Sequence, residues 1–457
     1  MFNLSKILTK YSLFVWLFLS ILLYSAPRYL NLTYGALIPT FILYVPFAIL
    51  FVFVGYFTYV ALKKDSKWDR LNLFTAIALI LFVLYYTGIF AYRAQAGVLS
   101  FNDLLSSVHF AVVFVGGAST FLFSQTKEIS RELLLQNLLL FIASLNVLLL
   151  VDSISRGSLR DTQVLVNIII ICCIQLIYFA VCYLYLTGEK RNWFFSGICY
   201  LHLILANISI WLSGSRLMLA FGIMTNIIFL ILSFKHRRQF LQMLGCALAA
   251  FLLVGGMYLV DAFNTRELVQ RQLFNILPNR ESTLYEYDLP IDFNYDDEDV
   301  RYEYDLLADP ATGYREMAQY HIDRSDSMRA TLLSRGREEV RENFWFGTGN
   351  VIYEYVLDEI HIFRQGAHNA ILESMAAFGF IGTTLILLSL GGVLYGVIKS
   401  QPSLDCKILI MYVTFVFLAY SMFQPIFFNI MTFSHTILIL TLFKTKDVLG
   451  KALGDNT

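Results

Sequence analysis

Apolar runs of about 20 residues recur along nearly the whole chain, and this constrains the fold more than any motif does. A helix of that length, rising about 1.5 Å per residue, just crosses a bilayer's hydrocarbon core of about 30 Å. Only helices and closed barrels satisfy their own backbone groups in lipid, and unbroken runs mean helices rather than alternating barrel strands. Twelve spans are expected: 12–26, 37–62, 71–92, 104–123, 133–151, 164–186, 193–212, 217–234, 240–260, 369–398, 408–423 and 426–443. Gln424-Pro425 would form a tight turn between the last two. The first run ends at Tyr24-Ser25-Ala26-Pro27, a poor fit to a small-x-small cleavage site, and is read as a span. The chain is 57% hydrophobic and 15% charged, whereas soluble domains are about 45–50% apolar and about 25% charged. A cytosolic α/β enzyme and a disordered chain are excluded on that ground. The balance of 34 basic against 34 acidic residues leaves no basic excess for nucleic acid. The expected fold class is an all-α polytopic membrane protein of about twelve transmembrane helices.

Orientation follows from the short loops. With both termini cytoplasmic, the inner segments hold 18 basic residues, including all thirteen lysines. The short outer loops hold 5, namely Arg28, Arg93, Arg156, Arg160 and Arg216. That is a strong positive-inside bias. One large outer loop, residues 262–367 between helices 9 and 10, carries 11 arginines and 21 acidic residues. Three regions are therefore expected: helices 1–9 in residues 1–261, the outer loop in 262–367, and helices 10–12 with a short cytoplasmic tail in 368–457. Within the loop, Tyr285 to Asp309 is acidic and rich in tyrosine. It reads either as a solvated surface or as a sugar-binding face, since sugars stack on rings and hydrogen-bond to carboxylates. Ser327 to Asn343 reads as an amphipathic helix, with Arg329, Leu333, Gly336 and Val340 on one face.

The six cysteines lie in spans or at a cytoplasmic end, so no disulfide framework is expected. There is no zinc spacing, paired-aspartate motif or nucleotide-binding glycine loop, so no metal or cofactor is expected. Gly255-Gly256 and Gly391-Gly392, inside spans, read as points of close helix packing.

Three places bring polar groups to the outer boundary. Leu212-Ser213-Gly214-Ser215-Arg216 turns between two spans, and Arg216 falls in the first turn of the following helix. The helix N-terminus is already partially positive, so a cation there is unfavourable. Serine hydroxyls, free N–H groups and a guanidinium would together suit an anion; the plain alternative is an arginine snorkelling to headgroups. Next, Gly366-Ala367-His368-Asn369-Ala370-Ile371-Leu372-Glu373 re-enters the membrane. The dipole there disfavours imidazolium, and a neutral His368 can accept a proton; the alternative is a structural cap. Asn369 and Glu373, four apart, share a helix face. The third place is Arg329 with the glycine turn Phe346-Gly347-Thr348-Gly349. Taken alone, it is a surface ion pair and a backbone turn.

In this order, these pieces resemble the bacterial O-antigen ligase and O-antigen polymerase superfamily, membrane glycosyltransferases acting on undecaprenyl-diphosphate-linked glycans. The resemblance is carried by Ser213-Gly214-Ser215-Arg216, Arg329-x-x-Leu332-Leu333, Gly347-Thr348-Gly349, His368-Asn369-x-x-Leu372-Glu373 and Gly379-x-x-Gly382. It covers Trp211 to Leu385, and the first six spans match only in hydropathy. It implies that Arg216 and Arg329 bind diphosphate and that His368 is catalytic. Ser213, Ser215, Asn369, Glu373 and Arg364 are the accompanying substrate-binding candidates. The expected reaction is metal-independent polymerisation, at the outer face of the bacterial cytoplasmic membrane, of lipid-linked repeat units. The alternative is ligation of the glycan to lipid A-core. A flippase and a chain-length regulator are the expected pathway partners. A transporter reading is disfavoured, because the charges cluster at the rims rather than at mid-depth.

Overall fold

The computed structural model describes residues 131–157, 168–188, 191–266, 268–269, 332–348, 369–399 and 404–422. It also describes the strands at 353–358 and 361–365, and scattered helical positions at 77–92 and 436–443. The expected spans at 12–26, 37–62 and 104–123 lie outside the described residues.

Eight helices form the described body: α1 (Arg131–Arg156), α2 (Ile168–Thr187), α3 (Trp193–Leu212), α4 (Arg216–Ser233), α5 (Arg237–Val260), α6 (residues 332–342), α7 (Ala370–Lys399) and α8 (Leu404–Ser421). Six of them are long and apolar enough to cross a membrane, and Ile171–Thr187 of α2 is a shorter apolar helix. The chain is a polytopic helical membrane protein; the count of twelve extends beyond the described residues.

α2 is the centre of the bundle. Every residue from Ile171 to Leu186 is buried, as expected of a helix that is apolar all round. It packs against α1, α3, α4 and α8. Hydrophobic burial does not drive association between helices in lipid, so interhelical hydrogen bonds and close packing set the specificity. The Tyr412 hydroxyl of α8 donates to the Leu176 carbonyl of α2 at 2.7 Å and accepts from Thr225 of α4 at 3.0 Å. Asn226 of α4 donates to Asn207 of α3 at 2.7 Å. A third network lies near mid-helix in α1, α2 and α3. His202 Nε2 donates to the Gln175 carbonyl at 3.1 Å, and its Nδ1 accepts from the Asn146 amide at 3.1 Å. Gln175 Nε2 donates to Asn146 Oδ1 at 2.9 Å. A ring that donates through one nitrogen and accepts through the other is neutral, as hydrocarbon depth demands.

Glycines make close contacts at other positions than expected. Gly255, Gly256 and Gly391 face open space, with nothing within 4 Å of an added Cβ. At Gly222 of α4, by contrast, a Cβ would meet Ile210 of α3 at 2.7 Å. The helix pair joined by the short turn carries a tight approach that Gly255, Gly256 and Gly391 do not.

Lys235, in the α4–α5 turn, pairs with Asp405 at the start of α8 at 3.4 Å. The α4–α5 turn and the start of α8 therefore lie at one end of the bundle. The start of α4 at Arg216 and the start of α7 at Ala370 lie at the other. The expected loop helix is present as α6, with Leu332 and Gly336 buried, Val340 half-buried and Arg335, Arg337, Glu338, Arg341 and Glu342 exposed. One element departs from an all-helical reading. Strands β1 (Tyr353–Asp358) and β2 (His361–Gln365) form an antiparallel hairpin between α6 and α7.

Candidate functional site

The turn that carries Arg216 is built by its own side chains. Ser213 closes α3: its hydroxyl donates to the Ile210 carbonyl at 2.8 Å and accepts from the Ser215 N–H at 3.2 Å. Gly214 then takes a left-handed φ of 65°, which reverses the chain without a Cβ clash. Ser215 is the N-cap of α4 and accepts from the Met218 N–H. Both serines expected as ligands are thus engaged in capping, and this holds the next residue in place. Arg216 is the first residue of α4, exposed, with no hydrogen bond or ion pair among the described residues. An exposed guanidinium beside the first N–H groups of a helix is of a chemistry that suits an anion.

The second place is the head of α7. Asn369 Oδ1 accepts from the Leu372 N–H at 3.0 Å, making Asn369 the N-cap. Glu373, one turn deeper, is 1% exposed and lies against the apolar interior. Burying a carboxylate is costly, so its retention here asks for a task or a set of partners. His368 and Arg329 lie outside the described residues. Arg364 is placed on β2, opposite Glu354 in the strand register.

Between these places runs a backbone joint that sequence reasoning did not foresee. α7 is broken at Gly379, with φ 62° and ψ −173°, a region essentially restricted to glycine. The turn after α6 fills the break. The Thr348 N–H donates to Ala376 O at 2.7 Å, the Phe380 N–H to Phe344 O at 2.7 Å and the Ile381 N–H to Trp345 O at 3.4 Å. The two chains touch backbone to backbone. A Cβ on Gly347 would lie 2.4 Å from the Ala377 carbonyl, and one on Gly379 would lie 2.4 Å from the Trp345 carbonyl. Phe344 stacks on Phe380 at 5.5 Å, and Trp345 meets the same ring edge-on at 5.8 Å. Val340 of α6 packs with Leu372 on Ala376. The arm formed by α6 and its turn is therefore seated on the first three turns of α7, the part that carries Asn369 and Glu373.

What these elements define is a helical membrane protein in which an arm from the segment between α5 and α7 docks on a broken helix. Residues 201–387, from α3 to the middle of α7, match the O-antigen ligase family model, which supports the chain's place in the O-antigen ligase and polymerase superfamily. Comparison with curated proteins gives no match. The matched interval contains Arg216, Arg329, His368 and both members of the glycine joint.

Proposed function

We propose that the protein is a polysaccharide polymerase that transfers an undecaprenyl-diphosphate-linked glycan onto a lipid-linked repeat unit at the outer face of the bacterial cytoplasmic membrane. The observation that carries this reading is the family match over 201–387, which takes in every expected site residue. In the proposed reaction Arg216 and Arg329 hold the diphosphate. The acceptor hydroxyl loses its proton to His368 as its oxygen attacks the anomeric carbon, and the lipid diphosphate departs with the bonding pair. The leaving group is already good, so charge stabilisation by guanidinium groups matters more than acid help, and the proposed reaction needs no metal. Glu373 and Asn369 would orient His368 or hold the acceptor sugar. Ser213, Ser215 and Arg364 would act nearby, the two serines chiefly by fixing Arg216.

A family match of this kind fits a ligase as well as a polymerase. The acidic, tyrosine-rich stretch from Tyr285 to Asp309 favours the polymerase, because it suggests a sugar surface particular to this chain. The deciding experiment supplies purified protein in vesicles with one lipid-linked donor and, separately, a lipid-linked repeat unit and lipid A-core. Chain growth on the repeat unit is expected. Transfer to lipid A-core alone would overturn the polymerase reading and establish the ligase.

A further inference from the structure

The break at Gly379 strips α7 of part of its hydrogen-bond ladder within a membrane-spanning helix, where each unmet backbone group costs several kcal/mol. The arm turn meets most of that need. The Phe378 carbonyl, next to the break, has a side-chain donor from another expected span. The Tyr85 hydroxyl donates to Phe378 O at 2.9 Å. It also lies 3.3 Å from the carbonyl oxygens of both Trp345 and Phe346, the backbone of the arm turn. Side-chain size is matched to this insertion. A Cβ on Gly382 would come within 2.6 Å of the Phe378 Cβ and 2.9 Å of the Tyr85 ring, so only glycine leaves room there. Phe82, one turn earlier on the same helix face, is fully buried and packs edge-on against Phe378 at 5.5 Å. Tyr85 belongs to the third expected span, outside the interval matched by the family.

We propose that Tyr85 is a positioning residue whose hydroxyl clips the 344–348 turn into the break of α7, and so sets how the arm is seated on the helix head that follows His368. This rests on the proposed glycosyl transfer only for its consequence; the clip itself is a contact between three segments. The hydroxyl carries a single hydrogen, and Phe378 O at 2.9 Å is its natural acceptor, with the two arm carbonyls as the longer alternatives. Removing the hydroxyl takes this donor from the Phe378 carbonyl and from the two arm carbonyls, and so loosens the turn's seat, while the phenyl ring still fills its place.

The test pairs Tyr85→Phe with cysteines at Val340 and Leu372, which share a contact on Ala376, in the full-length protein in vesicles. Without the hydroxyl, the yield of cross-link between 340 and 372 by a short bismaleimide should fall several-fold. Glycan transfer should fall about tenfold, the effect of one lost buried hydrogen bond. Closing the cross-link in the Tyr85→Phe protein should restore transfer to within about twofold of the parent. Gly382→Ala, which crowds both Phe378 and the Tyr85 ring instead of deleting the hydroxyl, should lower the cross-link yield in the same way and guards against a folding defect peculiar to one variant. Unchanged cross-link yield in both variants would overturn the proposal, as would slow transfer that the cross-link leaves uncorrected. Absence of transfer in the parent protein itself would instead strike at the glycosyltransferase reading, and the cross-link yields would still decide the role of Tyr85.

Discussion

Replacing Gly379 by alanine is the sharpest perturbation the joint allows. Its φ of 62° with ψ of −173° is a conformation that side chains avoid, at a cost of order 1–3 kcal/mol. The added methyl would also sit 2.4 Å from the Trp345 carbonyl, which neither backbone can absorb while the three hydrogen bonds across the break remain. Losing those bonds adds about 1 kcal/mol each, and more where the freed groups face hydrocarbon. The total, of order 4–6 kcal/mol, is a large share of the roughly 5–15 kcal/mol that holds a typical domain together. Gly391 lies in the same helix, is exposed and has nothing within 4 Å of an added Cβ. Gly391→Ala should therefore be neutral or stabilise α7 by up to about 1 kcal/mol. Thermal unfolding of the two variants in one detergent measures the contrast. Gly379→Ala should melt at least about 5 °C lower than the parent and lose glycan transfer, while Gly391→Ala should melt at or slightly above it. Equal melting of the two variants would refute the idea that the break at Gly379 is a built joint.

Other outcomes follow from the site. Arg216→Ala should abolish glycan transfer at near-normal protein levels in the membrane, and Arg216→Lys should be nearly as poor, because an ammonium cannot make the bidentate fork to a diphosphate; transfer assays with quantified protein check both. Ser215→Ala removes the cap of α4 and should cost about 1 kcal/mol of stability, seen as a lowered melting point, together with weakened donor binding, since Arg216 is held by that turn. Asn146→Leu leaves His202 Nδ1 and Gln175 Nε2 without partners and should destabilise by about 1–3 kcal/mol for each buried group, with transfer by the surviving folded protein unchanged.

The start of α3 and the α3–α4 junction were legible because residues that cap or reverse a helix bound the apolar runs there. Asn192 caps α3, and Ser213, Gly214 and Ser215 join α3 to α4. The break in α7 was not legible. Gly379 sits inside an unbroken apolar run, and what makes it a break is a backbone from the distant segment around Gly347. The sequence held both glycine pairs as motif pieces but not their contact. Gly255, Gly256 and Gly391 misled for the opposite reason, since a small residue invites close packing only where another helix arrives. The hairpin had a visible signal, aromatic and branched residues in Tyr353–Asp358 and His361–Gln365, masked by the acidity of the surrounding loop. Tyr85 is one of two adjacent tyrosines in an early span, and nothing local distinguishes it from Tyr86.

The claim on which the rest depends is that Arg216, Arg329 and His368 surround one lipid diphosphate. Photoreactive residues introduced singly at positions 216, 329 and 368, irradiated with a radiolabelled undecaprenyl-diphosphate-linked glycan in vesicles, measure this most directly. All three positions should label the same lipid, and excess unlabelled donor should suppress all three in parallel. Labelling from only one position, or labelling that the donor does not compete away, would contradict a shared site.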